Sequence, residues 1–219
     1  MRSRRTRGVP SDFFNDYLRQ LRAFDPGALS SSLGLPDWSE SLEDAQRILF
    51  FTVRPVGYLN GSHFLQVALT DELSNTLFSA VARFNGPEVA ASRMLPLTLD
   101  EAAYRGAPDF KSLERILIDM CAGAYVVVFG RACLAFLPEA ALIRLEGVRC
   151  VWEKFSSYLV DAMDEPMEIN DILVQAGFSA LRTNDAVART HAIREIYYWM
   201  LELETEFQEQ ARMSSQALH

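Results

Sequence analysis

Apolar positions along this chain recur mostly at helical spacing. Phe13, Phe14, Tyr17, Leu18 and Leu21 follow a capping Ser11 and an acidic Asp12, and Asp25-Pro26-Gly27 ends that run. Leu42, Ala45, Ile48, Leu49 and Val53 repeat the pattern until Pro55 and Gly57. Thr70 caps a third run, with Asp71 and Glu72 at its positive end. Its stripe is Leu73, Leu77, Val81 and Phe84, closed by Asn85-Gly86-Pro87. Thr98 with Glu101 matches a capping box. Asn60-Gly61 is the strongest turn dipeptide in the chain. Its flanks, 58–59 and 64–67, read equally as a small hairpin or as a loop entering a short helix.

The stretch 113–148 is the longest nearly uncharged run. Asp119 and Arg131 bracket its apolar part, which is shorter than the roughly 20 residues a membrane span needs. Residues 125–129 have strand-like composition. They follow Leu113, Ile116, Leu117 and Met120 at helical spacing, so the expectation is helix, apolar nearly all round as inside a bundle. Gly130 suits a break, Pro138 the first turn of a new helix and Gly147 that helix's end. Two or three short buried helices are expected here.

Val148, Val151, Trp152, Phe155, Tyr158 and Leu159 predict another amphipathic helix. A last helix is expected from 183–185 toward Arg212. Ile193, Ile196, Met200, Leu203 and Phe207 form a two-heptad seam along it, beside an acidic outer face of Glu195, Glu202, Glu204, Glu206 and Glu209. That seam either docks on its own domain or is offered to a partner protein; it is the candidate partner-binding surface.

These runs predict a mainly α protein: one multi-helix bundle, with the hairpin near 58–67 as its one β candidate. Residues 1–10, with Arg2, Arg4, Arg5 and Arg7 and no acid, are expected to be a disordered basic tail. Residues 11–212 form the helical domain and 213–219 a disordered C-terminal tail. A length of 219 residues suits one sizeable core.

Composition narrows the function. The net charge of −8 argues against a general nucleic-acid binder. With no apolar segment after the basic start, no secretory signal is expected, which points to a cytoplasmic protein. Cys121, Cys133 and Cys150 are too few and too widely spaced for a disulfide or zinc framework, and read as buried free thiols in a reducing compartment. The acidic run around 161–171 lacks the glycine and the ligand spacing of a calcium loop. No nucleophile elbow, phosphate loop or metalloprotease motif occurs. The histidines are His63, His191 and His219; His63, in a turn-rich region, is the least implausible base for an unrecognised enzyme. The expectation is therefore no catalytic residue, metal or cofactor, and no small-molecule substrate. A second reading takes 172–199 as a helix–turn–helix, turning at Gly177 and carrying Arg182, Arg189 and Arg194. Gly177 also suits a plain helix C-cap.

Two passages carry a family resemblance. Phe24-Asp25-Pro26-Gly27-Ala28-Leu29, with Leu33-Gly34-Leu35-Pro36, resembles the opening of the type III secretion sorting-platform protein SctK, the YscK/OrgA family. Residues 123–147 resemble that family's central helical region: small residues, an apolar helix, a basic residue, another helix. The resemblance implies a cytosolic, non-enzymatic adaptor. It would link the pods of a secretion machine to its inner-membrane ring, with other subunits as partners and membrane association only through them.

Overall fold

The computed structural model describes residues 47–59, 62–84, 101–157 and 168–217. They form a five-stranded mixed sheet with helices on both faces, an α/β fold in place of the mainly α bundle that the periodicity predicts. The elements are β1 (Ile48–Leu59), β2 (Ser62–Asp71), β3 (Thr76–Phe84), α1 (Glu101–Arg105), α2 (Glu114–Cys121), β4 (Tyr125–Val128), α3 (Glu139–Leu142), β5 (Gly147–Cys150), α4 (Val151–Ser157), α5 (Ile169–Gln175) and α6 (Ala186–Ala217). Short 3₁₀ turns at Phe110–Leu113 and Arg131–Phe136 lead into α2 and α3. The strand order is β3-β2-β1-β4-β5. β1, β2 and β3 pair antiparallel as a meander, and β4 and β5 add to β1 in parallel.

The hairpin at 58–67 is present but far longer than expected. Leu59 pairs with Ser62 and the ladder continues back to Leu49 and Asp71. A bulge between Pro55 and Gly57 relieves the ladder where proline lacks its N–H. Ile48, Leu49 and Val53, read as helical, therefore lie on β1. Both faces of this strand are covered, so its buried residues run nearly unbroken and hide the period of two. Leu49 and Phe51 enter one core, Ile48 and Phe50 the other, all four at most 3% exposed.

The run 71–84 is corrected in the same way. Asp71 accepts from the backbone N–H groups of Leu73 and Asn75 at 2.9 and 2.8 Å, and Ser74 takes φ 66°. This Asx-type turn replaces the first helical turn, and β3 follows. Residues 125–128 form β4, not helix. Gly123, at φ +66°, ends the connection from α2, and the β-branched valines then pair with β1 and β5. Val126 and Val128 face one core and Val127 the other. Gly147 opens β5 instead of ending a helix, and Val148 lies on the same strand.

Beneath one face of the sheet lie α2, α3 and the two 3₁₀ turns. Across the other lie α4, α5 and α6, with Phe155, Ile172, Ile193, Ile196 and Tyr197 buried against Phe50 and Val127. The C-cap at Gly177 is as expected. Phe178 N–H reaches Leu173 O at 2.8 Å and Gly177 N–H reaches Val174 O at 3.1 Å, the two bonds of a Schellman motif. The last helix begins where expected and runs past Arg212 to Ala217. Among the described residues no helix is long and apolar enough to cross a membrane. The expected helix at 13–21, the Trp38 anchor, the basic tail and most of the 161–171 run lie outside the described residues.

Candidate functional site

β4 runs parallel to the start of β1, so its carboxyl end lies beside the middle of β1, the side of an open α/β sheet on which ligands bind. Alternation places Arg54 on the face that carries Ile48 and Phe50, directly opposite Gln66 of β2. The start of α6 sits over this pair. Gln66 Oε1 accepts the Ala186 N–H at 3.0 Å, and Asp185 Oδ1 accepts the Ala188 N–H at 2.8 Å. Asp185 is thus the N-cap, and Gln66 satisfies another of the helix's orphan donors. Thr183 Oγ1 donates to Asp185 Oδ2 at 2.7 Å.

Two guanidiniums meet on Asn184. Arg54 donates to its backbone carbonyl, and Arg189 Nη1 donates to its side-chain oxygen at 3.1 Å. Burial lowers the Arg54 pKa, the neighbouring Arg189 charge lowers it further, and Asp185 opposes both. Burial by itself would raise the Asp185 carboxyl. The bonds from Ala188 and Thr183 and the Arg54 charge outweigh it and hold the group below the usual carboxylate range. On the opposite face of the sheet, the half-buried Cys133 thiol lies beside the backbone of Gly130 and Val53 and within the field of Arg189. Burial dominates there and pushes the thiol up, away from the thiolate form.

A second polar group lies beneath the middle of α6. The buried Arg149 guanidinium stands 4.9 Å from the Tyr125 ring centroid and 5.6 Å from that of Tyr197, and it donates to the Tyr197 hydroxyl. Burial pushes the Tyr197 phenol up to about 12 against the opposing Arg149 charge. One turn beyond the core residue Leu201, Glu204 pairs with Lys154 of α4. The first group fastens α6 to β5 and the second fastens it to α4.

The residues singled out in sequence do not gather at one place. Ile193, Ile196 and Met200 are fully buried against the chain's own sheet, and Leu203 is half-buried. The Phe207 side chain lies outside the described residues. Most of the expected seam is thus the inner face of α6. His63 stands in β2 opposite Phe84, beside the hairpin turn; His191 is on α6, and His219 is outside the described residues. Cys121 and Cys150 are buried free thiols, and burial pushes Cys121 up to about 11. Among the described residues no three His, Cys, Asp or Glu side chains converge as metal ligands.

Segment 172–199 does not have helix–turn–helix geometry. Residues 176–185 separate α5 from α6, against about three to four in such a turn. Arg194 is folded onto Glu72 O at 2.6 Å, Glu195 at 2.8 Å and the Tyr198 ring.

Sequence reasoning missed Arg54, because strand alternation was hidden in a run read as helix, and missed its partner Gln66, because the register of the 58–67 hairpin is not visible in sequence. It placed Asn184 and Asp185 at a helix start without showing what they face. No family model matches the chain, and no curated protein matches it in sequence.

Proposed function

We propose that this chain is a non-enzymatic adaptor that works by binding other proteins, with a type III secretion sorting platform as the specific setting. The observation that carries the reading is the reach of α6. The helix spans 32 residues, yet among the described side chains the last one in the buried core is Leu201. At about 1.5 Å per residue, the part beyond Leu201 extends for over 20 Å. Exposed on it are Thr205, Glu209 and Met213, the last 62% accessible. A helix fastened along its first half and continuing beyond the core suits recognition by an amphipathic or charged partner surface.

The secretion setting rests on less. Of the passages that resemble that family, 24–36 lies outside the described residues. Residues 123–147 contain a strand, a 3₁₀ turn and a short helix where the resemblance needs an apolar helix. The test is affinity purification of the tagged chain from its native cells, with mass spectrometry, beside a Glu209→Lys, Met213→Asp variant. Enrichment of pod and ring subunits by the parent and their loss from the variant support the proposal. Equal recovery by both removes α6 as the contact, and absence of such subunits removes the secretion setting.

A further inference from the structure

We propose that Arg54 and Arg189 form a binding site for a small phosphate-type oxyanion beside the middle of β1, past the carboxyl end of β4. This goes beyond the adaptor reading and does not depend on it. The geometry starts from the sheet register, which fixes Arg54 opposite Gln66 beneath the start of α6. Arg189 comes from the first turns of α6, and Asn184 holds both guanidiniums through its two oxygens. Two full positive charges are thereby brought to one place on the sheet.

Among the described residues, the carboxylate facing Arg54 is Asp185. Its two oxygens already serve the Ala188 N–H and the Thr183 hydroxyl. Among the described residues, one carboxylate against two guanidiniums leaves this place positive, in a chain whose net charge is −8. The end of the α6 dipole adds to that field. The helix's first donors are taken by Asp185 and Gln66, so the arginine pair and not the helix end supplies the hydrogen bonds. A guanidinium carries five N–H donors in a planar fork suited to phosphate, and Asn184 uses one from each. A tetrahedral oxyanion between the two forks would satisfy further donors and neutralise the excess charge.

The test is isothermal titration of the full chain with sodium phosphate, against sodium chloride at matched ionic strength. Arg189→Gln and Arg189→Lys are the variants, and Arg115→Gln on α2 is the control. Urea midpoints of all three show whether each is folded. Saturable phosphate binding is expected in the parent and in Arg115→Gln. It weakens by about tenfold or more in Arg189→Gln, and by less in Arg189→Lys, which keeps the charge but loses the fork. Phosphate binding no different from chloride overturns the site, as does undiminished binding by a folded Arg189→Gln. Binding of an oligonucleotide without binding of free phosphate also overturns it, in favour of a polymeric ligand. Pull-down of partner proteins is read separately, so failure of the anion site leaves the adaptor proposal standing.

Discussion

Gly147→Ala separates the sheet from a helical bundle by its coupling to Tyr125. Gly147 pairs with Tyr125 across the parallel β4–β5 ladder. A methyl group on Gly147 would lie 2.6 Å from Tyr125 Cε1 and 3.0 Å from Cδ1. Carbon atoms in ordinary contact stand about 3.5–4.0 Å apart, so the ring must retreat by about 1 Å. Arg149 lies against that ring at 4.9 Å, and Val126 beside it is fully buried. Overpacking of this kind costs about 1–3 kcal/mol. For a chain of this size the thermal midpoint falls by roughly 2–4 °C per kcal/mol. Urea unfolding of the parent, Gly147→Ala, Tyr125→Ala and the double variant gives the coupling. With the ring gone, the added methyl should be nearly neutral, so the coupling energy should equal most of the single-variant loss. As the end of a helix, the place the helical reading gives it, Gly147→Ala would also cost about 1 kcal/mol, but with no coupling to a residue 22 positions away. Stabilisation by Gly147→Ala, or independence from Tyr125, would refute the β4–β5 register.

Further outcomes follow from the same structure. Gly177→Ala should lower stability by about 1–2 kcal/mol in urea unfolding, since φ is +85° there and nothing lies within 4 Å to add a compensating contact. Lys154→Met should cost about 3–5 kcal/mol by leaving the Glu204 carboxylate nearly buried without its cation, while Lys154→Met with Glu204→Leu should regain most of that; an additive double variant would argue against the pair. Cys121, pushed up to about 11 from 9.0, contributes stability that is complete below pH 9 and falls away between pH 9 and 11. The loss should approach about 2–3 kcal/mol, and Cys121→Ala should flatten that part of the pH profile. An unchanged slope would show that the thiol is not the titrating group.

How far the sequence discloses this fold depends on how many faces each segment buries. α6 buries one face over many turns, so its stripe is plain, and the N-cap and Gly177 signals are local chemistry that no tertiary contact overrides. β1, β3 and β4 are different. Leu73, Leu77, Val81 and Phe84 fit a helical stripe. In the fold, Leu73 is an exposed turn residue, and the other three pack on a strand that also holds Phe78, Ala80 and Ala82. The β4 run Tyr125–Val128 had strand composition, but period alone does not distinguish a doubly buried strand from a buried helix. The same ambiguity concealed the Arg54–Gln66 pair, whose partnership is a matter of register between strands. The acidic outer face of α6 was visible except for Glu204, which turns inward to Lys154, whereas the burial of Ile193, Ile196 and Met200 depends on a sheet that the helical reading did not contain.

The most direct measurement is nuclear Overhauser spectroscopy of the isotope-labelled chain across residues 125–128. The fold predicts strong sequential Hα–amide contacts there, with cross-strand contacts from Val126 to Leu49 on one side and to Val148 on the other. Strong sequential amide–amide contacts through those residues, with no cross-strand contact, would make the segment a helix and contradict the sheet on which the site and the seating of α6 depend.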